Sequence, residues 1–440
     1  MGMSTPSREE LRQWSANLTL DPLDVGDPNE KRYVELADAG RGAVDDLQAT
    51  IELSLDATTQ LLSGPSGSGK TTELYRLRRD LRAAGYHAVV FDITAYVNES
   101  SPVDVTEFLI ALALGANDAH APQVPQKQSG FVARLRQMLS RLNIEIEIAG
   151  VKAALSSDRA EVEALGAHVG IDLGEELKSS KPFVDELRAK LSYHVKQLYD
   201  EVAAYLRELV PPEVEQGAVL IVDGLEKLRG TTANDQDVQR SVEALFVNHA
   251  SKLKFGSHHL VYTVPTYLQF TAPGALPYNA RLFVPVPHLN ARGGGQNSTS
   301  EQNVVELRDV VARRIPVERI FPDTALLDTV LRASGGHLRD LFLILQRLIN
   351  LMLRLSLELP VGPVDVEEAV RLVARDFAAM TVEQATFLRN VANGDGVVRP
   401  AADEVQLMAR LVQSHMLLGH VNGEDWYEVH PLARRALGLP

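Results

Sequence analysis

The run Gly64-Pro65-Ser66-Gly67-Ser68-Gly69-Lys70-Thr71-Thr72 carries the plainest chemistry in the chain. Gly64, Gly69, Lys70 and Thr71 satisfy the phosphate-loop spacing without a mismatch. Glycines let successive backbone N–H groups turn inward as a concave anion site. A helix opening at Lys70 adds its free N–H groups and the positive end of its dipole. In such a loop the lysine reaches the β- and γ-phosphates and the Thr71 hydroxyl ligates Mg²⁺. Asp223 ends the apolar run Ala218-Val219-Leu220-Ile221-Val222. An acid there emerges at the carboxyl edge of a parallel sheet, where the metal sits. Glu226 is the candidate base or water-orienting group. Thr263, near the end of the apolar run His259 to Val264, would face the γ-phosphate from a neighbouring strand. The expected cofactors are ATP or ADP with Mg²⁺.

The elements that must position these groups are legible around them. Gln60-Leu61-Leu62-Ser63 reads as the strand before the loop, and Leu74, Leu77 and Leu81 mark the helix after it, with Gly85 as its stop. Tyr86 to Ile93 is a second buried strand, followed by a helix from Val105 to Leu114. Residues 126–215 exceed a minimal nucleotide-binding core and read as an insertion. Within it, Ile144, Ile146 and Ile148 alternate with glutamates as a half-buried strand, and Val169, Ile171 and Leu173 form a weaker one. Phe183, Leu187, Leu191, Val195 and Leu198 then form a helical stripe. The insertion is either a solvated decoration or a surface that docks a partner.

Residues 1–30 form an N-terminal arm, with a short helix and a turn-rich linker. The segment that follows, through Arg41, leads straight to the loop strand, where it can serve the adenine ring or act as plain scaffold. Leu282 to Val286 is the last core strand, and the Gly-rich stretch after Arg292 a hinge. Residues 292–380 then form a helical lid. Its third helix runs from His337 to Leu357, with Arg339 in the first turn after Gly335-Gly336. From residue 381 the style changes to two helices and a hairpin turning at Asn422-Gly423, as in a winged helix. No internal repeats are evident.

Composition narrows the class. The chain has 440 residues, 45% hydrophobic and 23% charged, as in ordinary soluble proteins. It has no cysteine, which excludes disulfides, thiolate zinc sites and a cysteine nucleophile. The polar Ser7-Arg8-Glu9-Glu10 is unlike a signal peptide, and the apolar run Leu341 to Leu359 is interrupted by Arg347, Arg354 and Glu358, as in a buried helix. A cytoplasmic protein with no membrane partner is expected. The net charge of −14 argues against broad adhesion to nucleic acid.

The whole resembles the AAA+ and STAND branches of the P-loop ATPases, including origin-recognition and NACHT-type proteins. The likeness covers roughly residues 30–125 and 216–440 and leaves the insertion outside. Gly64 to Thr71 matches Walker A, Val219 to Asp223 matches Walker B, and Gly335-Gly336-His337-Leu338-Arg339 matches the lid arginine called sensor 2. Thr263 looks like sensor 1, and Ala39-Gly40-Arg41 like the short motif before the core, which brings Arg41 to the nucleotide. The resemblance implies an α/β parallel-sheet core (31–291), an all-α lid and a winged-helix domain (381–440). It also implies nucleotide contacts from Pro65, Ser66, Gly67, Ser68, Thr72 and Arg339. His430 lies where STAND proteins hold the ADP phosphate; equally, it can cap the wing strand. Arg281 is either a surface arginine or a finger acting on a neighbouring subunit. Gly224 stands where the usual AAA+ Walker B has Glu, which puts vigorous hydrolysis in doubt.

The leading expectation is a slowly hydrolysing, nucleotide-driven switch that assembles with itself or with a separate effector protein, as in bacterial defence or signalling modules. The insertion could be the docking surface. Two alternatives are an initiator-type ATPase on DNA and a non-hydrolysing scaffold. The DNA reading is weakened by a recognition helix, Ala402 to Ser414, whose one Lys or Arg is Arg410.

Overall fold

The computed structural model describes residues 5–36, 42–120, 130–144, 147–148, 151–152, 173–231, 233–271, 276–290, 298–394, 400–401, 404–422 and 424–439. Arg41 and most of the insertion's predicted strands, including Val169 and Ile171, lie outside the described residues. Two compact units divide the chain.

The sheet unit, Asp46–Ser63 with Leu77–Leu282, is built on strands β1 (Thr59–Ser63), β2 (His87–Asp92), β5 (Ala218–Asp223), β6 (His258–Thr263) and β7 (Ala280–Phe283). Their order is β2-β5-β6-β1-β7, and β2, β5, β6 and β1 pair in parallel. β1, β5 and β6 are buried at every residue, and in β5 this gives an unbroken apolar run up to Asp223 rather than an alternating one. Asp92 pairs with Asp223 in register, so β2 and β5 end together at the carboxyl edge. Helix Val105–His120 covers β2, and its Gly115 lies so close to Phe91 that a Cβ would come within 2.1 Å of the ring.

The insertion follows the helical stripe more closely than the strands. Helices Lys181–Leu191 and Val195–Leu209 bury Phe183, Leu187, Leu191 and Leu198, while Val195 stays half-exposed. Of the strand expected over Ile144, Ile146 and Ile148, Ile146 lies outside the described residues, and Ile148 lies in β3 (Glu147–Ile148), which pairs with β4 (Val151–Lys152). Leu173 does not end a strand: residues 173–179 are helical, and its buried side chain belongs to that turn.

The loop-and-lid unit comprises Met1–Asp45, Gly64–Arg76 and Phe283–Pro440. Lid helices are Ser298–Ala312, Thr324–Ala333, Leu338–Leu355 and Pro363–Ala374. Leu338–Leu355 buries Leu341, Phe342, Ile344, Leu345, Leu348, Ile349, Leu351 and Met352. Each such burial stabilises by about 1.5–3 kcal/mol before the entropy of ordering is charged against it. Arg347 and Arg354 are exposed on this helix, as its amphipathic spacing requires. No helix among the described residues is long and apolar enough to cross a membrane. At the end of the chain come helices Val382–Ala392 and Val405–Gln413, the antiparallel hairpin of β8 (Leu417–Asn422) and β9 (Glu424–Val429), and helix Pro431–Ala436.

Candidate functional site

In the loop-and-lid unit, the glycine loop turns on three left-handed or near-left-handed residues. Gly64, Gly67 and Gly69 have φ of 154°, 90° and 96°. Only glycine accepts the last two without strain. Helix Lys70–Ala83 begins at the lysine. Lys70 is 4% exposed, and its Nζ donates to the carbonyl oxygens of Gly64 and Pro65 at 2.9 and 2.8 Å. A buried ammonium held on two carbonyls is a positive charge installed against the loop. The Thr72 hydroxyl accepts from the Leu23 amide at 3.1 Å, which pins the N-terminal arm to this helix. Tyr33 donates to Glu73, whose other oxygen takes Arg76, and Arg76 also binds Asp45.

The lid touches the same loop. Arg339 donates from Nη1 to Ser66 Oγ at 3.2 Å, and from its amide to the Gly67 carbonyl at 3.3 Å. A Cβ on Gly67 would stand 2.7 Å from that of Arg339. His337 Nε2 donates to the Ser66 carbonyl at 2.8 Å, and its Nδ1 lies 2.7 Å from Asp340 Oδ2. His430 caps the final helix, its Nδ1 accepting from the Leu432 amide at 3.0 Å, and its Nε2 lies 3.1 Å from the same Asp340 oxygen. It therefore combines the capping role with a carboxylate partner, and its link to the loop runs through Asp340 and His337. Arg339, the neighbour of Asp340 in sequence, faces Ser66 and leaves this carboxylate to other partners. The histidines take it instead. Burial alone would raise Asp340; the charge and hydrogen bond of His337, with His430 close beside it, outweigh burial and hold the carboxyl far below its usual range. Burial pushes His415 and His430 down, His415 to about 3.

In the sheet unit, the acidic edge is equally ordered. Asp223, Thr263 and Glu226 are buried. Thr263 Oγ1 donates to Glu226 Oε2 at 2.6 Å and accepts from the Gly224 amide at 2.9 Å. One hydroxyl therefore joins the strand ends of β5 and β6 and fixes the carboxylate of Glu226. Gly224 has φ 95°, and a Cβ there would meet Asp92 Oδ1 at 2.2 Å. Lys227 binds Asp92 at 2.5 Å. Burial would raise the Asp92 carboxyl, but Lys227 and Thr94 hold it below its usual range. Arg281 is exposed on β7.

Within the loop-and-lid unit, Gly64, Gly67, Gly69 and Lys70 have the shape and charge of an anion cradle, a side chain at Gly67 being excluded by Arg339. What the motif left unseen is the cluster of His337, Asp340, His415 and His430. Its members are scattered over the lid and the last helices, and only the His337/Asp340 spacing of one helical turn hinted at it.

No protein-family model and no curated protein sequence matches this chain. Among solved structures it is similar to Cdc6p from Pyrobaculum aerophilum, at 12% identity and a TM-score of 0.40, covering 94% of this chain and 96% of that one. It is also similar to the ADP form of the Aeropyrum pernix ORC2 protein, at 11% identity and a TM-score of 0.41 over 95% and 96%. A third is the Aeropyrum pernix ORC1 protein in complex with DNA, at 11% identity and a TM-score of 0.39 over 93% and 94%.

Proposed function

We propose that this chain is an ATP-binding switch that hydrolyses its nucleotide slowly, with the lid and the C-terminal winged-helix segment reporting the nucleotide state. The observation that carries the reading is the glycine loop with positive φ at Gly67 and Gly69, filled by the buried Lys70 and opening a helix directly after β1. Lys70 supplies charge to the β- and γ-phosphates, and the loop amides orient them. Thr71 and Asp223 would hold Mg²⁺, which when bound neutralises developing phosphate charge. Glu226, aligned by Thr263, orients the attacking water or takes its proton. Arg339 is the lid's phosphate ligand. A cation that binds phosphate in only one lid position gives ATP differential affinity for that position, which is what a population shift requires. Arg41 and the pinned arm serve the base, and the insertion serves a partner protein. A defence or signalling module is the setting this build suggests.

The experiment is a phosphate-release assay on the full chain, with and without DNA, alongside the Lys70→Ala and Asp223→Asn variants. Slow release that both variants abolish and DNA leaves unchanged supports the switch. DNA-stimulated release would favour the initiator reading, against which stand the −14 net charge and a helix Val405–Gln413 with Arg410 as its one Lys or Arg. No release with tight ADP retention would favour the scaffold.

A further inference from the structure

His337, Asp340, His415 and His430 converge on one carboxylate oxygen. Asp340 Oδ2 lies 2.7 Å from His337 Nδ1, 3.1 Å from His430 Nε2 and 3.5 Å from His415 Nε2. Asp340, His337 and His430 are 2%, 0% and 0% exposed. Rings stack around the oxygen, His337 on His415 at 4.5 Å and His430 on Phe377 at 4.8 Å. Arg339 and Glu428 are the other charges acting on these imidazoles.

Three donor atoms this close invite a metal reading, since His337, Asp340 and His430 could each offer one ligand. The tautomers argue otherwise. His430 Nδ1 accepts the Leu432 amide, so its lone pair is spent there and its proton sits on Nε2, facing Asp340. His337 Nε2 faces a carbonyl, which can only accept, so that nitrogen also carries a proton. Its Nδ1, at 2.7 Å from the carboxylate, shares a second one. The cluster is closed by hydrogen, not by a cation.

We infer that this cluster is a clamp through which the winged-helix segment shapes the phosphate-binding loop, with His337 as a positioning residue for nucleotide. The Ser66–Gly67 peptide is trans, so holding the Ser66 carbonyl toward His337 turns the Gly67 amide the opposite way. That amide is one of those a phosphate loop presents to its anion. His430, which caps the last helix, packs against Asp340 at 3.1 Å; Asp340 holds His337; His337 holds the peptide. A shift of the winged-helix segment that withdraws His430 loosens the loop without any residue leaving the phosphate. The inference rests on the nucleotide reading above.

The test uses the full chain, nucleotide-free, with amide exchange of the peptide spanning 66–69 and ¹⁵N ring shifts of the histidines. His430→Phe keeps a ring against Phe377 and removes both nitrogens; Asp340→Asn keeps the shape and removes the charge. Both should raise loop exchange about tenfold and weaken ATP affinity by a similar factor, as loss of one charge-assisted hydrogen bond predicts. Exchange across Pro363–Ala374 should not move. In the wild type, His337 should show both ring nitrogens protonated. Unchanged loop exchange in the folded variants, an unprotonated His337 nitrogen, or one equivalent of bound zinc would each overturn the clamp. Raised exchange with unchanged ATP affinity would overturn its role in nucleotide binding. Should Asp340→Asn fail to fold, His430→Phe and the wild-type ring shifts decide. A wild type that shows the protected loop and protonated His337 but binds no ATP sinks the nucleotide reading and leaves the clamp standing.

Discussion

Gly224 decides how the acidic edge is organised. Its φ of 95° and the approach of the Asp92 carboxylate mean that a glutamate directly after Asp223 would be strained and would have to displace that carboxylate. The carboxylate comes instead from Glu226, which the following turn buries and Thr263 orients. Replacing Thr263 by Val removes the donor to Glu226 and the acceptor for the Gly224 amide in one step. Thermal unfolding should show a loss of about 1–3 kcal/mol, and phosphate release should fall at least tenfold, while Thr263→Ser should retain most of both. Glu226→Gln should leave nucleotide affinity within about twofold and trap ATP, seen as unhydrolysed nucleotide after a single-turnover chase. Turnover at the wild-type rate would move the role to another residue.

At the scale of elements, the loop and the first turn of Leu338–Leu355 are built to touch. Gly67→Ala forces a left-handed residue and a Cβ 2.7 Å from that of Arg339, so it should cost about 1–3 kcal/mol and weaken nucleotide binding, measured by denaturant unfolding and titration. Arg339→Ala should still bind nucleotide but lose the compaction with ATP over ADP that small-angle scattering should show for the wild type. An identical response in both would remove Arg339 from the switch. The buried histidines set the pH behaviour. His415 and His258 titrate near 3 in the folded chain, both lowered first by burial, against about 6.5 when unfolded. Groups lowered in this way contribute stability that is full above pH 6.5 and is lost as pH falls toward 3. At pH 5 each should have withdrawn about 2 kcal/mol, and His415→Phe should flatten the slope of stability between pH 7 and 5. Asp340 adds nothing in that window, because its loss begins only below the ordinary carboxylate range.

Across the whole molecule, the sequence was most readable where chemistry and backbone depend on the same short run. The loop needs its glycines, the buried strand before Asp223 is an unbroken apolar run, and Leu74, Leu77 and Leu81 each end fully buried on one helix. The insertion was readable as a helical stripe; of its expected strands, Ile148 lies in β3, Leu173 falls in a helix, and Ile146, Val169 and Ile171 lie outside the described residues. The Asp340 cluster was hidden for another reason: four residues spread from 337 to 430 meet only through tertiary packing, and no spacing announces that. Thr263 was legible as a polar strand end, yet its partner proved to be Glu226. The account stands or falls on the glycine loop. Isothermal titration of ATP and Mg²⁺ into the full chain and into Lys70→Ala tests it most directly. The expected result is saturable one-site binding to the wild type, lost by at least a hundredfold in a variant whose unfolding transition remains cooperative. Equal ATP affinity in the two proteins, or none in the wild type, would contradict it.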